Sequence, residues 1–102
     1  METVDFTEPT IGKYTIYSKS GCKHCTRVKD LLDEHNIDFS LVDCDKYLIE
    51  QEKKQYFLQY IKTIANKEWK TFPIVFDGTQ FIGGYYETFE YLEKTLDFDN
   101  DF

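Results

Sequence analysis

The chain has 102 residues, 41% hydrophobic and 18% aromatic, a balance that gives one folded domain with a modest core and excludes a disordered protein. Its net charge of −7 sits mostly at the ends: Glu2, Asp5, Glu8, Asp97, Asp99 and Asp101 supply six charges, leaving residues 13–96 near −1. This acidity argues against a nucleic-acid partner, no apolar run is long enough to span a membrane, and 3 cysteines is an odd count for a secreted disulfide framework.

Residues 1–12 are polar, are broken by Pro9 and Gly12, and read as a flexible acidic leader. Met1 to Asp5 lack the basic start and apolar middle of a signal peptide, so a cytoplasmic location is expected. A first strand is predicted over residues 13–18, followed by a polar turn, Lys19-Ser20-Gly21, and then by Cys22-Lys23-His24-Cys25. From Cys25 onward Val28, Leu31, Leu32 and His35 recur with it on one helical face, and Asn36 suits a left-handed cap. Residues 38–43 alternate as a second strand, which makes a βαβ unit with parallel strands.

Between Asp45 and about Ala65 the apolar residues Ile49, Tyr56, Phe57, Tyr60, Ile61 and Ile64 predict one long amphipathic helix, with Asp43 or Asp45 as its cap. A polar connection carrying Trp69 follows. Residues 72–76 and 80–82 then flank Asp77-Gly78-Thr79, a hairpin signature. Gly83-Gly84 breaks the chain before a last helix, from about Glu87 to Leu96, that buries Phe89, Leu92 and Leu96; residues 97–102 read as an acidic tail. The order βαβαββα predicts an α/β fold, a four-stranded mixed sheet with helices on both faces.

The chemistry concentrates at Cys22 and Cys25. A strand feeding a helix through Cys-x-x-Cys puts the first sulfur at a helix N-terminus, where unpaired N–H groups and the dipole favour an anion. That is the setting of a nucleophilic thiol, and the second cysteine can attack a mixed disulfide formed on the first. The spacing alone also suits a metal chelate. Charge favours redox chemistry: from residue 13 to 29 the charged side chains are Lys13, Lys19, Lys23, Arg27 and Lys29, with no Asp or Glu. The plainer reading of that stretch is a solvated basic face.

Three separated features together resemble the glutaredoxins, small members of the thioredoxin superfamily: Lys19-x-x-Cys22-x-x-Cys25, Thr71-Phe72-Pro73, and Gly83-Gly84 followed by acidic Glu87. The resemblance covers roughly residues 14–96, and makes 13–96 a glutaredoxin-like domain with a thioredoxin-like fold. It implies that Cys22 is the nucleophile and Cys25 the resolving cysteine, the pair forming the redox-active disulfide. Pro73 would be a cis-proline facing them, and Phe72 would pair its backbone with the cysteinyl unit of glutathione. Lys19 would meet the glycyl carboxylate. Gly83, Gly84 and Tyr85 would form the turn near the γ-glutamyl carboxylate, and Glu87 would take the ammonium. The family often has Cys-Pro-Tyr-Cys; His24 in place of the tyrosine resembles more oxidising members of the superfamily and would support the Cys22 thiolate and the glutathione site. Phe72 replaces the usual valine, and Glu87 is one methylene longer than the usual aspartate.

The implied function is a glutathione-dependent thiol–disulfide oxidoreductase that reduces protein disulfides and glutathione mixed disulfides, acting as a monomer with glutathione as co-substrate. One alternative is a [2Fe–2S] carrier using Cys22 and glutathione in a dimer, which the absence of proline after Cys22 leaves open. Another is a thioredoxin-like reductant that does not use glutathione. A zinc site from Cys22, Cys25, Cys44 and a histidine matches no familiar spacing, so no metal is expected, and Cys44 reads as a buried small hydrophobe.

Overall fold

The computed structural model describes residues 6–100, with side chains as far as Lys94. Strand β1 (Tyr14–Ser18) is buried over Thr15 to Ser18, and its alternation sends Ile16 and Tyr17 to opposite faces of the sheet. Each face therefore has its own core. Tyr17 packs with Val42, Cys44, Tyr47, Phe57, Ile61, Ile74 and Phe76, and Ile16 with Val28, Leu31, Leu32, Val75 and Leu92.

The sheet has four strands in the order β2-β1-β3-β4, with β2 at Phe39–Asp43, β3 at Ile74–Asp77 and β4 at Gln80–Gly83. Strand β2 runs parallel to β1, whereas β3 is antiparallel to β1 and β4 to β3. Helices α1 (Lys23–Glu34) and α4 (Tyr85–Asn100) cover one face. Helices α2 (Asp45–Leu48) and α3 (Gln51–Ala65) cover the other. This is the mixed sheet with helices on both faces that the sequence predicts.

The long second helix is a correction: it is two helices. Tyr47 and Phe57 stack with ring centroids 5.2 Å apart. In one straight helix their ten-residue separation would spread them about 15 Å along the axis and turn them to different sides. The chain instead goes extended at Glu50 (φ −102, ψ 137) and starts again. Ile49, at the break, is 82% exposed, and Tyr56 is 54% exposed, so neither is the core residue that periodicity suggested. Two smaller corrections concern helix ends. His35 is exposed, because it follows the last turn of α1 and turns its ring Nδ1 to the Leu31 carbonyl at 2.8 Å. Helix α4 begins two residues earlier than expected and continues through Asn100, leaving Phe89 exposed; Leu96 lies outside the described side chains.

Asn36 and Asn66 both adopt left-handed backbone, at φ 58 and 57, closing α1 and α3. Residues 6–12 form no helix or strand, yet Phe6 packs edge-on to Tyr47 and Phe57, and the Tyr17 hydroxyl donates to the Thr7 carbonyl at 2.6 Å.

Candidate active site

Strand directions bring the distant motifs together. Residues 19–22 leave the C-terminal end of β1. Because β3 is antiparallel to β1, with Tyr17 opposite Ile74, Phe72 and Pro73 enter the sheet at that same end. Strand β4 is antiparallel to β3 and so delivers Gly83 and Gly84 there, and parallel β2 delivers Cys44 and Asp45. The Cys44 N–H donates to the Ser18 carbonyl at 2.8 Å, which ties the two strand exits together.

Cys22 is the N-cap of α1, with extended backbone, and its sulfur accepts the Cys25 N–H at 3.2 Å. A sulfur can therefore do what a serine or aspartate side chain does at other helix starts, and a thiolate does it better than a thiol. The Cys22 thiol also points at the Phe72 carbonyl, 3.7 Å away, and the Phe72–Pro73 peptide is cis. Cys22 is partly exposed and Cys25 is buried. Burial, and then the Cys22 sulfur beside it, push the Cys25 thiol up, which favours its protonated form. Burial also pushes Cys44 up to about 12; its thiol donates to the Val42 carbonyl at 3.6 Å, which suits an inert packing residue. Among the described residues no three His, Cys, Asp or Glu side chains gather as a metal site.

The other predicted residues divide. The Lys19 ammonium lies over the Phe72 ring, 5.6 Å from its centroid. The His24 ring stacks on Tyr85, centroids 5.8 Å apart and planes within 10°, with Tyr86 edge-on at 5.4 Å. Neither hydrogen bond at the Cys22 sulfur comes from His24, and the ring Nδ1 is buried with no hydrogen-bond partner. Glu87 reaches back to accept the Gly84 N–H at 3.0 Å, the reciprocal half of a capping box. Gly83, at φ 137, is required for this turn, since a Cβ there would lie 2.7 Å from the Glu87 Cβ.

The structure adds two residues that the sequence reading missed. Asp45 accepts both the N–H of Ser20, at 2.9 Å, and its hydroxyl, fixing the turn just before Cys22. Its signal was available: a carboxylate just past a strand parallel to β1 must emerge beside that turn. Trp69 lies against the same end, its Cζ2 3.5 Å from where a Gly84 Cβ would stand. Helix α3 residues Gln55, Gln59 and Lys62 line a different cleft, of about 210 Å³, with Trp69. The groove at Cys22, about 400 Å³, is lined by Lys19, Lys23, Thr26 and Lys29 beside the two cysteines.

Comparison with known proteins decides the family. The glutaredoxin family model matches residues 14–82. The chain belongs to the glutaredoxin family. Glutaredoxin 1 of Rickettsia conorii is 30% identical over 79 residues, covering 78% of this chain and 70% of that one. Glutaredoxin 1 of Escherichia coli K12 is 30% identical over 87 residues, covering 80% and 94%. Among solved structures, glutaredoxin 1 from Francisella tularensis superposes with a TM-score of 0.71 at 25% identity, covering 83% of this chain and 96% of that one. A buckwheat glutaredoxin–glutathione complex gives 0.61 at 26%, covering 80% and 69%. As a glutaredoxin this chain is a thiol–disulfide oxidoreductase, and its fold is the thioredoxin-like one. No helix among the described residues is long and apolar enough to cross a membrane.

Proposed function

We propose that this glutaredoxin reduces glutathione mixed disulfides and protein disulfides, with glutathione as the electron donor. The observation that carries the reading is the Cys22 sulfur, held at the start of α1 by the Cys25 N–H and facing the Phe72 carbonyl. With a mixed disulfide, the Cys22 thiolate attacks the glutathione sulfur, the old S–S bond breaks, and the substrate leaves as a thiolate that takes up a proton. A second glutathione thiolate then attacks the glutathionyl sulfur on Cys22, releasing oxidised glutathione and restoring the Cys22 thiolate. With a protein disulfide, Cys22 first becomes joined to the protein. Cys25 then loses its proton and attacks Cys22, expelling the protein thiol and leaving a Cys22–Cys25 disulfide for two glutathiones to reduce.

Glutathione is assigned to the strip beside Pro73. Its cysteinyl unit pairs with the Phe72 backbone, its glycyl carboxylate meets Lys19, and its γ-glutamyl end lies by Gly84, Tyr85 and His24. The Gly84 N–H already takes one of the roughly four acceptor sites of the Glu87 carboxylate, and the others remain for the ammonium. The printed description of the buckwheat structure, a glutathione complex, supports the ligand by likeness.

The test is turnover of a small glutathione mixed disulfide with glutathione as the only reductant. Steady release of oxidised glutathione is the expected result. Absence of turnover by the folded protein, with a thioredoxin-type reductase sustaining activity instead, overturns the reading.

A further inference from the structure

We propose that the groove running from Cys22 along α1 past Lys23, Thr26 and Lys29 docks an acidic polypeptide segment flanking the disulfide of a protein substrate. This rests on the disulfide-exchange reading above and adds the class of substrate. The groove holds about 400 Å³ and is lined by Lys19, Lys23 and Lys29 together with the two site cysteines. No Asp or Glu lines it. The carboxylate at its turn, Asp45, accepts from both the N–H and the hydroxyl of Ser20. The ion pair found among the described residues, Lys70–Glu68, involves neither Lys23 nor Lys29. The groove is thus a positive surface opening on the nucleophile, which raises the local concentration of an anionic partner and orients it.

The spacing narrows the occupant. Lys23, Thr26 and Lys29 recur every third residue along α1, each step turning about 60° around the axis, and all three line the groove. Lys23 and Lys29 are six residues apart, about 9 Å along the axis. An extended chain covers that length in about three residues. The best-matched partner therefore carries two carboxylates two or three positions apart, close in sequence to its disulfide cysteine. Glutathione is assigned elsewhere: of its proposed contacts only Lys19 reaches the groove, and the others lie along Phe72–Pro73 and Gly84–Tyr85.

The experiment uses the full chain, glutathione as reductant, and two synthetic peptides glutathionylated on one cysteine. One peptide continues Cys-Gly-Asp-Gly-Asp and the other Cys-Gly-Asn-Gly-Asn. At low salt kcat/KM for the acidic peptide is expected to exceed that of its amide twin by about tenfold, the effect of one decade of affinity. The difference should collapse near 1 M salt, where the screening length is about 3 Å. In the double variant Thr26→Glu, Lys29→Glu the preference should vanish or invert, with Lys29→Gln intermediate. Turnover of the glutathione mixed disulfide of 2-mercaptoethanol, measured on each of the three proteins, is the baseline by which both of its peptide rates are divided, so that the acidic-to-amide ratio reads docking alone. Equal rates for the two peptides at low salt, or a preference that survives the double variant, overturns the docking groove. Failure to turn over even the 2-mercaptoethanol disulfide overturns the disulfide-exchange reading instead, so the two failures are distinguishable.

Discussion

Asp45, at the start of α2, holds Ser20 in the turn before Cys22 by accepting both its backbone N–H and its hydroxyl. Those two bonds, and then the charge of Lys19, hold the Asp45 carboxyl below the usual carboxylate range. The sign follows: what the carboxylate contributes is fully present above the ordinary value of 3.8 and is lost as pH falls through the depressed folded value. Asp45→Ala should leave the protein folded yet slow glutathione-linked turnover by about tenfold, short of the ~100-fold that a 1 Å misplacement can cost. Asp45→Asn, which keeps an acceptor oxygen, should restore most of it. Steady-state kinetics beside thermal melts checks both, and an Ala variant with unchanged kinetics would show that the turn holds itself.

The three cysteines should separate by function. Cys22→Ser should abolish activity, because a hydroxyl stays protonated and is a poor nucleophile and leaving group. Cys25→Ser should keep turnover of glutathione mixed disulfides and lose reduction of protein disulfides that need a second sulfur. Cys44→Ser should do neither, at a stability cost of about 1 kcal/mol for placing a hydroxyl in the core. Because the Cys25 thiol is raised, resolution by Cys25 should accelerate as pH rises above neutrality, and this pH dependence should disappear in Cys25→Ser. Stopped-flow decay of a trapped Cys22 mixed disulfide across pH reads that step directly.

Glu87 has two candidate duties, and one substitution distinguishes them. Glutamine preserves the bond to the Gly84 N–H but removes the charge. If the carboxylate also meets the glutathione ammonium, as proposed, Glu87→Gln should raise the KM for glutathione about tenfold, with little change in melting temperature. Glu87→Ala should additionally lose about 1 kcal/mol of stability with the cap. An unchanged KM in Glu87→Gln restricts Glu87 to capping.

His24 should set the redox poise through its surroundings. Its ring packs against Tyr85 and Tyr86 with a buried unpartnered Nδ1. The Cys22–Cys25 couple is expected at or above the family range of about −200 to −230 mV, and His24→Tyr should lower it. Redox titration of both proteins against glutathione buffers is the measurement. Equal potentials would leave His24 a packing residue alone.

The sequence by itself determined the parts whose physics is local. The strand run ahead of the polar turn marks β1, Asn36 closes α1, Asp77-Gly78-Thr79 turns the hairpin, and a cysteine before a helical pattern marks a reactive sulfur. The three motifs around Cys22, Pro73 and Gly84 were also legible, because each is a short run with its own backbone or chemical requirement. Only the tertiary structure decided the rest, where the cause lies far along the chain. Helix α3 is separated from α2 because Tyr47 and Phe57 must meet over Tyr17, a constraint that periodicity in one segment cannot carry. His24 meets Tyr85 and Tyr86 because α1 and α4 share one face of the sheet. Asp45 reaches Ser20 because β2 runs parallel to β1 and ends beside it, so strand direction, and not sequence spacing, made them neighbours.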